Sequence, residues 1–155
     1  MKSLTTLAQL RARPHWSHSR INALANFCSL AWAFRYVYRS EPEFTPVSLV
    51  FGNAFHDALS YHASRRMQGR ECTAGECAEI LADVLARKCG DGDSPPVRMG
   101  DGESVASLAE QGGKMLQVVI GSTDPEEETV AVAVPFSVRL VDASGETLDK
   151  PLIGE

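Results

Sequence analysis

Apolar residues recur at three- and four-residue steps through the first 120 positions and at alternate positions later, which predicts helices first and strands last. Ser19 reads as the N-cap of one long amphipathic helix whose apolar stripe is Ile21, Leu24, Phe27, Cys28, Ala31, Phe34, Val37 and Tyr38. Pro42 and Pro46 impose an extended connector. Ser48 then offers a cap for a second helix to about Arg66, with Phe51, Phe55, Ala58, Leu59 and His62 as its core stripe. A third helix over Ala74 to Lys88 presents Cys77, Ile80, Leu81, Val84 and Leu85. Gly90 to Gly102, dense in Gly, Asp and Pro, reads as a surface loop. A fourth helix from Glu103 to about Ile120 is weakened at Gly112-Gly113, because glycine is a poor helix former.

After Asp124-Pro125 the period becomes alternating. Thr129 to Leu140 is rich in Val, Thr and Phe, and Pro135 confines it to an edge or a bulge. Asp142-Ala143-Ser144-Gly145-Glu146 supplies the turn of a hairpin, and Leu148 to Glu155 returns as a second strand that begins after Lys150-Pro151. The expected fold class is α/β, more narrowly an α+β fragment. Residues 1–16 form an N-terminal extension, 17–121 the helical part and 127–155 the first strands. A two-stranded ribbon is marginal alone, so the sheet is expected to be incomplete.

Composition changes this picture little. A chain of 155 residues, 44% hydrophobic and 23% charged, suits one globular domain and excludes disordered and collagen-like classes. No apolar run approaches the roughly 20 residues needed to span a bilayer. Met1 to Arg13 lacks the apolar core of a secretory signal, so the expected location is the cytoplasm, without a membrane partner. Charge is more informative, because the net value of -5 hides two opposite halves. Residues 1–70 hold nine Lys and Arg, all arginine but Lys2, against three acids, or +6; the totals of 15 and 20 leave six bases and 17 acids, or -11, for residues 71–155. Arginine-rich surface suits bidentate contact with phosphate oxygens, although the same residues also serve as solvated helix faces. Cys28, Cys72, Cys77 and Cys89 have gaps that match no zinc ribbon or finger and read as reduced thiols.

Taken in order, Ser17-His18-Ser19-Arg20-Ile21, Asn26-Phe27-Cys28, Phe34-Arg35-Tyr36-Val37-Tyr38 and Phe51-Gly52-Asn53-Ala54-Phe55-His56 resemble the front of a PD-(D/E)XK nuclease of RecB-like type. Pro135-Phe136-Ser137-Val138, the Ser144-Gly145-Glu146 turn and Pro151-Leu152-Ile153-Gly154-Glu155 resemble the first strands of that domain. The resemblance implies a restriction-endonuclease-like mixed sheet and an exonuclease that hydrolyses DNA phosphodiesters with Mg or Mn. It further implies work in DNA repair, recombination or phage- or CRISPR-type DNA processing, and a helicase or recombination partner. In the family a Gly-x-hydrophobic-Asp strand brings in a metal-ligand aspartate, and an Asp/Glu-x-Lys strand follows. Here Gly154 and Glu155 fill only the first two positions, so the chain is expected to be the front portion of such a domain, truncated before those residues and inactive alone.

The resemblance makes His56 the catalytic metal ligand. Gly52 lies four residues before it and Ser60 four after, small side chains that leave room for a metal and a phosphate. An imidazole among carboxylates shifts preference from magnesium toward manganese. On helix position alone His56 reads as a structural histidine satisfied by the backbone or Asp57, and the Gly-x-x-x-His context selects the ligand reading. His15, His18 and His62 lack that context and read as structural.

Cys28 has two readings. It stands where some RecB-like members place the first of four ligands to an iron-sulfur cluster, here a 4Fe-4S cofactor, while others keep an apolar cysteine with no cluster. Arg20, Arg35 and Arg39 are the candidate nucleic-acid contacts. The competing function is a non-catalytic nucleic-acid-binding or scaffold remnant in which these arginines, with Arg65 and Arg66, hold phosphates. A plain gene fragment with no independent role is the third reading.

Overall fold

The computed structural model describes residues 6–90 and 95–155; residues 1–5 of the expected extension and 91–94 of the expected loop lie outside the described residues. In chain order its elements are α1 (Leu7–Arg11), α2 (His18–Asn22), a π-helical turn (Ala23–Phe27), α3 (Ser29–Tyr36), β1 (Thr45–Pro46), α4 (Val47–Met67), α5 (Ala74–Lys88), β2 (Val97–Arg98), α6 (Val105–Gly121), β3 (Phe136–Val138) and β4 (Leu152–Gly154). The mixed helix and strand content with short, incomplete sheets agrees with the expected α+β class. The chain divides into two units, Met1–Glu41 with Ala133–Glu155, and Pro42–Val132.

In the first unit the single long helix expected from Ser19 onward is broken. Ser17, not Ser19, caps α2, its hydroxyl accepting the Arg20 N–H at 3.3 Å. The Cys28 N–H donates to the Ala23 carbonyl, the wide repeat of a π-turn, and Cys28 itself is extended at φ -151° and ψ 114°, so α3 starts anew. The extra residue in the turn rotates the stripe. All eight of its expected members are exposed, Phe27 by 80%, while Arg20, Trp32, Ala33 and Tyr36 are half-buried instead. The segment ends at Arg39, which takes a left-handed φ of 54°, and the Ser40 N–H donates to the Phe34 carbonyl at 2.9 Å.

The expected hairpin forms with shorter strands. β3 pairs antiparallel with β4, Phe136 opposite Gly154 and Val138 opposite Leu152. Its Val- and Thr-rich flank 129–135 contributes no ladder, consistent with the missing donor at Pro135. At the turn, the Asp142 carboxylate accepts the N–H groups of Ser144 and Glu146 and the Ser144 hydroxyl. On its other edge β4 receives Trp16: the Trp16 N–H donates to the Pro151 carbonyl at 2.8 Å and the Ile153 N–H to the Trp16 carbonyl at 2.9 Å. Ile153 is the buried residue of this small sheet.

The second unit is a three-helix layer. Val47, Val50, Ala54 and Ala58 of α4, Cys77, Leu81, Val84 and Leu85 of α5, and Leu108, Gly112 and Leu116 of α6 form its core. Of the expected α4 stripe only Ala58 is fully buried; Phe51, Phe55 and Leu59 pack against the core from its margin. Ala54 and Ala58, both 0% exposed, share the contact line with Val47 and Val50. Pro46, not Ser48, precedes the helix, without a side-chain cap. The expected α5 has the bounds read from sequence, and a Thr73–Glu76 capping box fixes its start. Ser104 caps α6 in the same way, with Ser107. The expected surface loop contains a strand, since β2 pairs parallel with β1, Thr45 opposite Val97 and Pro46 opposite Arg98. No helix is long and apolar enough to cross a membrane among the described residues.

Candidate functional site

His56 lies on the exposed face of α4, away from the Ala54 and Ala58 positions that meet the other helices. A helical step of 100° per residue puts Gly52 and Ser60 one turn to either side of it. The space above Gly52 is open, with no atom within 4 Å of where a Cβ would stand. Ser60 Oγ and His56 Nδ1 are 3.5 Å apart, the long limit of a hydrogen bond. His56 therefore keeps Nε2 without a protein partner among the described hydrogen bonds, on a surface with little steric cover.

Next to this face, Asn53 and Asp57 of α4 and Lys88 of α5 line a cavity of about 320 Å³ with Thr45, Val50 and Val97. The sequence reading did not single out that group. Asn53 and Asp57 are separated by one helical turn, the signal that places both on one side of α4. Further along α4, His62 is half-buried, and burial, followed by the neighbouring Arg66 guanidinium, holds its pKa below the ordinary 6.5.

The arginines proposed for nucleic acid have different local roles. Arg20 is held among three aromatic rings, 5.5 Å from the Trp16 centroid, 5.9 Å from Trp32 and 5.0 Å from Tyr36, and donates to the His15 carbonyl at 3.2 Å. Cation–π contact and fixed geometry make Arg20 an organiser of the first unit. Arg35, exposed, lies 5.5 Å from the same Tyr36 ring. Arg39 is exposed at the left-handed end of the segment. The four-residue spacing of Trp32 and Tyr36, one turn of α3, is the sequence signal for part of this clamp, whereas Trp16 precedes the Ser17 cap and is paired with β4. In the second unit Arg65 lies over Tyr61 at 5.9 Å, and Arg66 donates to the carbonyls of Asp124 and Glu127, tying the end of α4 to the segment after α6.

Cys28 is exposed at the break before α3, in the unit that does not contain Cys72, Cys77 and Cys89. Among the described residues no three His, Cys, Asp or Glu side chains gather as metal ligands. The described residues therefore do not by themselves make a divalent-metal or iron-sulfur centre, and His56 offers one ring nitrogen to it.

A family model described as the PD-(D/E)XK nuclease superfamily matches residues 15–145. No curated protein and no solved structure matches the chain.

Proposed function

The chain belongs to the PD-(D/E)XK nuclease superfamily, and from that premise we propose that it is the front part of a RecB-like, divalent-metal-dependent DNA exonuclease. Its work is then in repair, recombination or phage- or CRISPR-type DNA processing, alongside a helicase or recombination partner. Residues 17–155 are read as a partial nuclease domain, with 17–121 as its helical part and 127–155 as its first strands. The observation that supports the reading is His56. It stands exposed on α4 with open space over Gly52 and a free ring nitrogen. In this proposal His56 contributes one ligand to a Mn- or Mg-binding centre whose carboxylates are not gathered among the described residues. No hydrolytic step is assigned to His56 alone.

Cleavage of end-labelled DNA with Mn2+ or Mg2+, by the native gene product and by its His56→Ala variant, tests this. The expected loss exceeds the roughly 10- to 100-fold typical of removing an outer-shell partner of a metal ligand. Full activity in the variant sinks the ligand role. The 155-residue chain by itself is expected to show no metal-dependent cleavage above background.

A second reading is supported by the +6 charge of residues 1–70. In it the chain binds nucleic acid without cutting it, through Arg35 and Arg39, while Arg20 holds the local fold. Binding that weakens steeply with salt and ignores divalent metal is its signature.

A further inference from the structure

The start of α5 carries an arrangement that the nuclease reading does not use. Thr73 and Glu76 close a capping box: the Thr73 hydroxyl accepts the Glu76 N–H at 3.2 Å, and the Glu76 carboxylate accepts the Thr73 N–H at 2.7 Å. The positions on either side of such a box commonly hold an apolar pair that staples the entry of the chain to the helix. Here both are cysteines. Cys72 precedes the cap and Cys77 follows the box, and their sulfurs are 3.4 Å apart with both thiols free. Cys77 is fully buried in the core of the second unit, whereas Cys72 is half-buried on the extended entry and open to small solutes.

We propose that Cys72 and Cys77 are a reversible dithiol–disulfide couple, oxidised by hydroperoxides, that locks the entry to α5. From their 3.4 Å separation, closing the pair to a disulfide length requires an approach of about 1.4 Å, and Cys72 lies outside the helix that holds Cys77. Cys72 sulfur attacks the near oxygen of the hydroperoxide; an S–O bond forms, the O–O bond breaks, and the distal oxygen leaves as water, or as an alcohol from an organic hydroperoxide, carrying the thiol proton. Cys77 sulfur then attacks Cys72 sulfur. The S–S bond forms, the S–O bond breaks, and the hydroxyl leaves as water with the Cys77 proton. Two thiols lose two electrons and the peroxide gains them.

The order of events follows from the setting. Burial, and then the hydrogen bond with Cys72, push the Cys77 thiol up to about 12, so Cys77 is a poor first nucleophile. Once Cys72 is oxidised, an electrophilic sulfur stands next to Cys77 at contact distance. The loop so closed is short, so its effect on the unfolded chain is small and the consequence is local, at the first turn of α5.

The test treats the native chain with hydrogen peroxide, blocks remaining thiols by alkylation and reads peptide masses. Trypsin leaves residues 71–87 as one peptide that holds both cysteines, and cleavage after Glu76 separates them. The expected result is a loss of two hydrogens from that peptide, two unalkylated cysteines, and fragments that stay joined until dithiothreitol is added. In Cys77→Ala, Cys72 should instead accumulate as a dimedone-trapped sulfenic acid. Should that variant not fold, Cys72→Ser, altered at the half-buried site, must leave Cys77 reduced under the same treatment. Fragments that separate with Cys72 alkylated or carried to sulfinic acid, or Cys72 joined to Cys28 or Cys89, overturn the proposal.

Discussion

Gly112 and Gly113 sit side by side in α6, and the structure assigns them opposite responses to the same substitution. A Cβ at Gly112 would stand 2.7 Å and 2.9 Å from the two terminal carbons of Leu81 and 3.2 Å from a Phe51 ring carbon. Leu81 is 0% exposed, so its methyl groups have no room to retreat. A Cβ at Gly113 would meet only Ala78 Cβ, at 3.6 Å, an ordinary contact. Replacing glycine by alanine in a helix interior gains about 0.8–1.0 kcal/mol from backbone entropy. Gly113→Ala should keep most of that. At Gly112 overpacking costs about 1–3 kcal/mol, leaving a net loss of up to about 2 kcal/mol once the propensity gain of about 1 kcal/mol is subtracted. Urea unfolding monitored by helix circular dichroism reads the difference as a shift in midpoint at unchanged slope. A double-mutant cycle sharpens it: with Leu81→Ala in place, Gly112→Ala should recover its helix-propensity gain, a coupling that non-neighbours do not show. Equal stabilisation by both single variants would refute the close crossing of α5 and α6 at Gly112.

Leu81→Ala alone should cost about 2–5 kcal/mol, since it empties the centre of the three-helix core, and the same urea series measures it. Thr73→Ala removes the N-cap of α5 and should cost about 1 kcal/mol, with hydrogen exchange quickening first in the turn after residue 73. His62 has a folded pKa below its unfolded 6.5, so the unfolded chain takes up the proton first and stability falls as pH drops below about 6.5. A His62→Gln variant should flatten that slope between pH 7 and 5, and an unchanged slope would assign it elsewhere. In fluorescence-polarisation titrations of labelled DNA, Arg35→Ala and Arg39→Ala should each lower the slope of log affinity against log salt by about 1, and unchanged slopes would exclude phosphate contact at these positions.

The local chemistry of this chain was legible in its sequence. Periodicity gave α5 its bounds, the Asp142 to Glu146 segment its turn, and the strand residues Phe136 to Val138 their place in a hairpin, because each depends on groups within a few residues of one another. The order of short motifs around His56 placed the chain in its nuclease superfamily, and the helical wheel put Gly52 and Ser60 beside that histidine. The fate of each apolar stripe, however, was decided by tertiary structure. The stripe read through Ile21 and Phe34 is exposed, since a π-turn and an extended Cys28 re-phase the helix and an aromatic clamp on Arg20 claims the opposite face. The pairing of Thr45 with Val97 and the burial of Gly112 against Leu81 were decided by packing as well. Helical period states which residues share a face, whereas the neighbour that face meets depends on contacts between distant parts of the chain, whose geometry no local pattern contains.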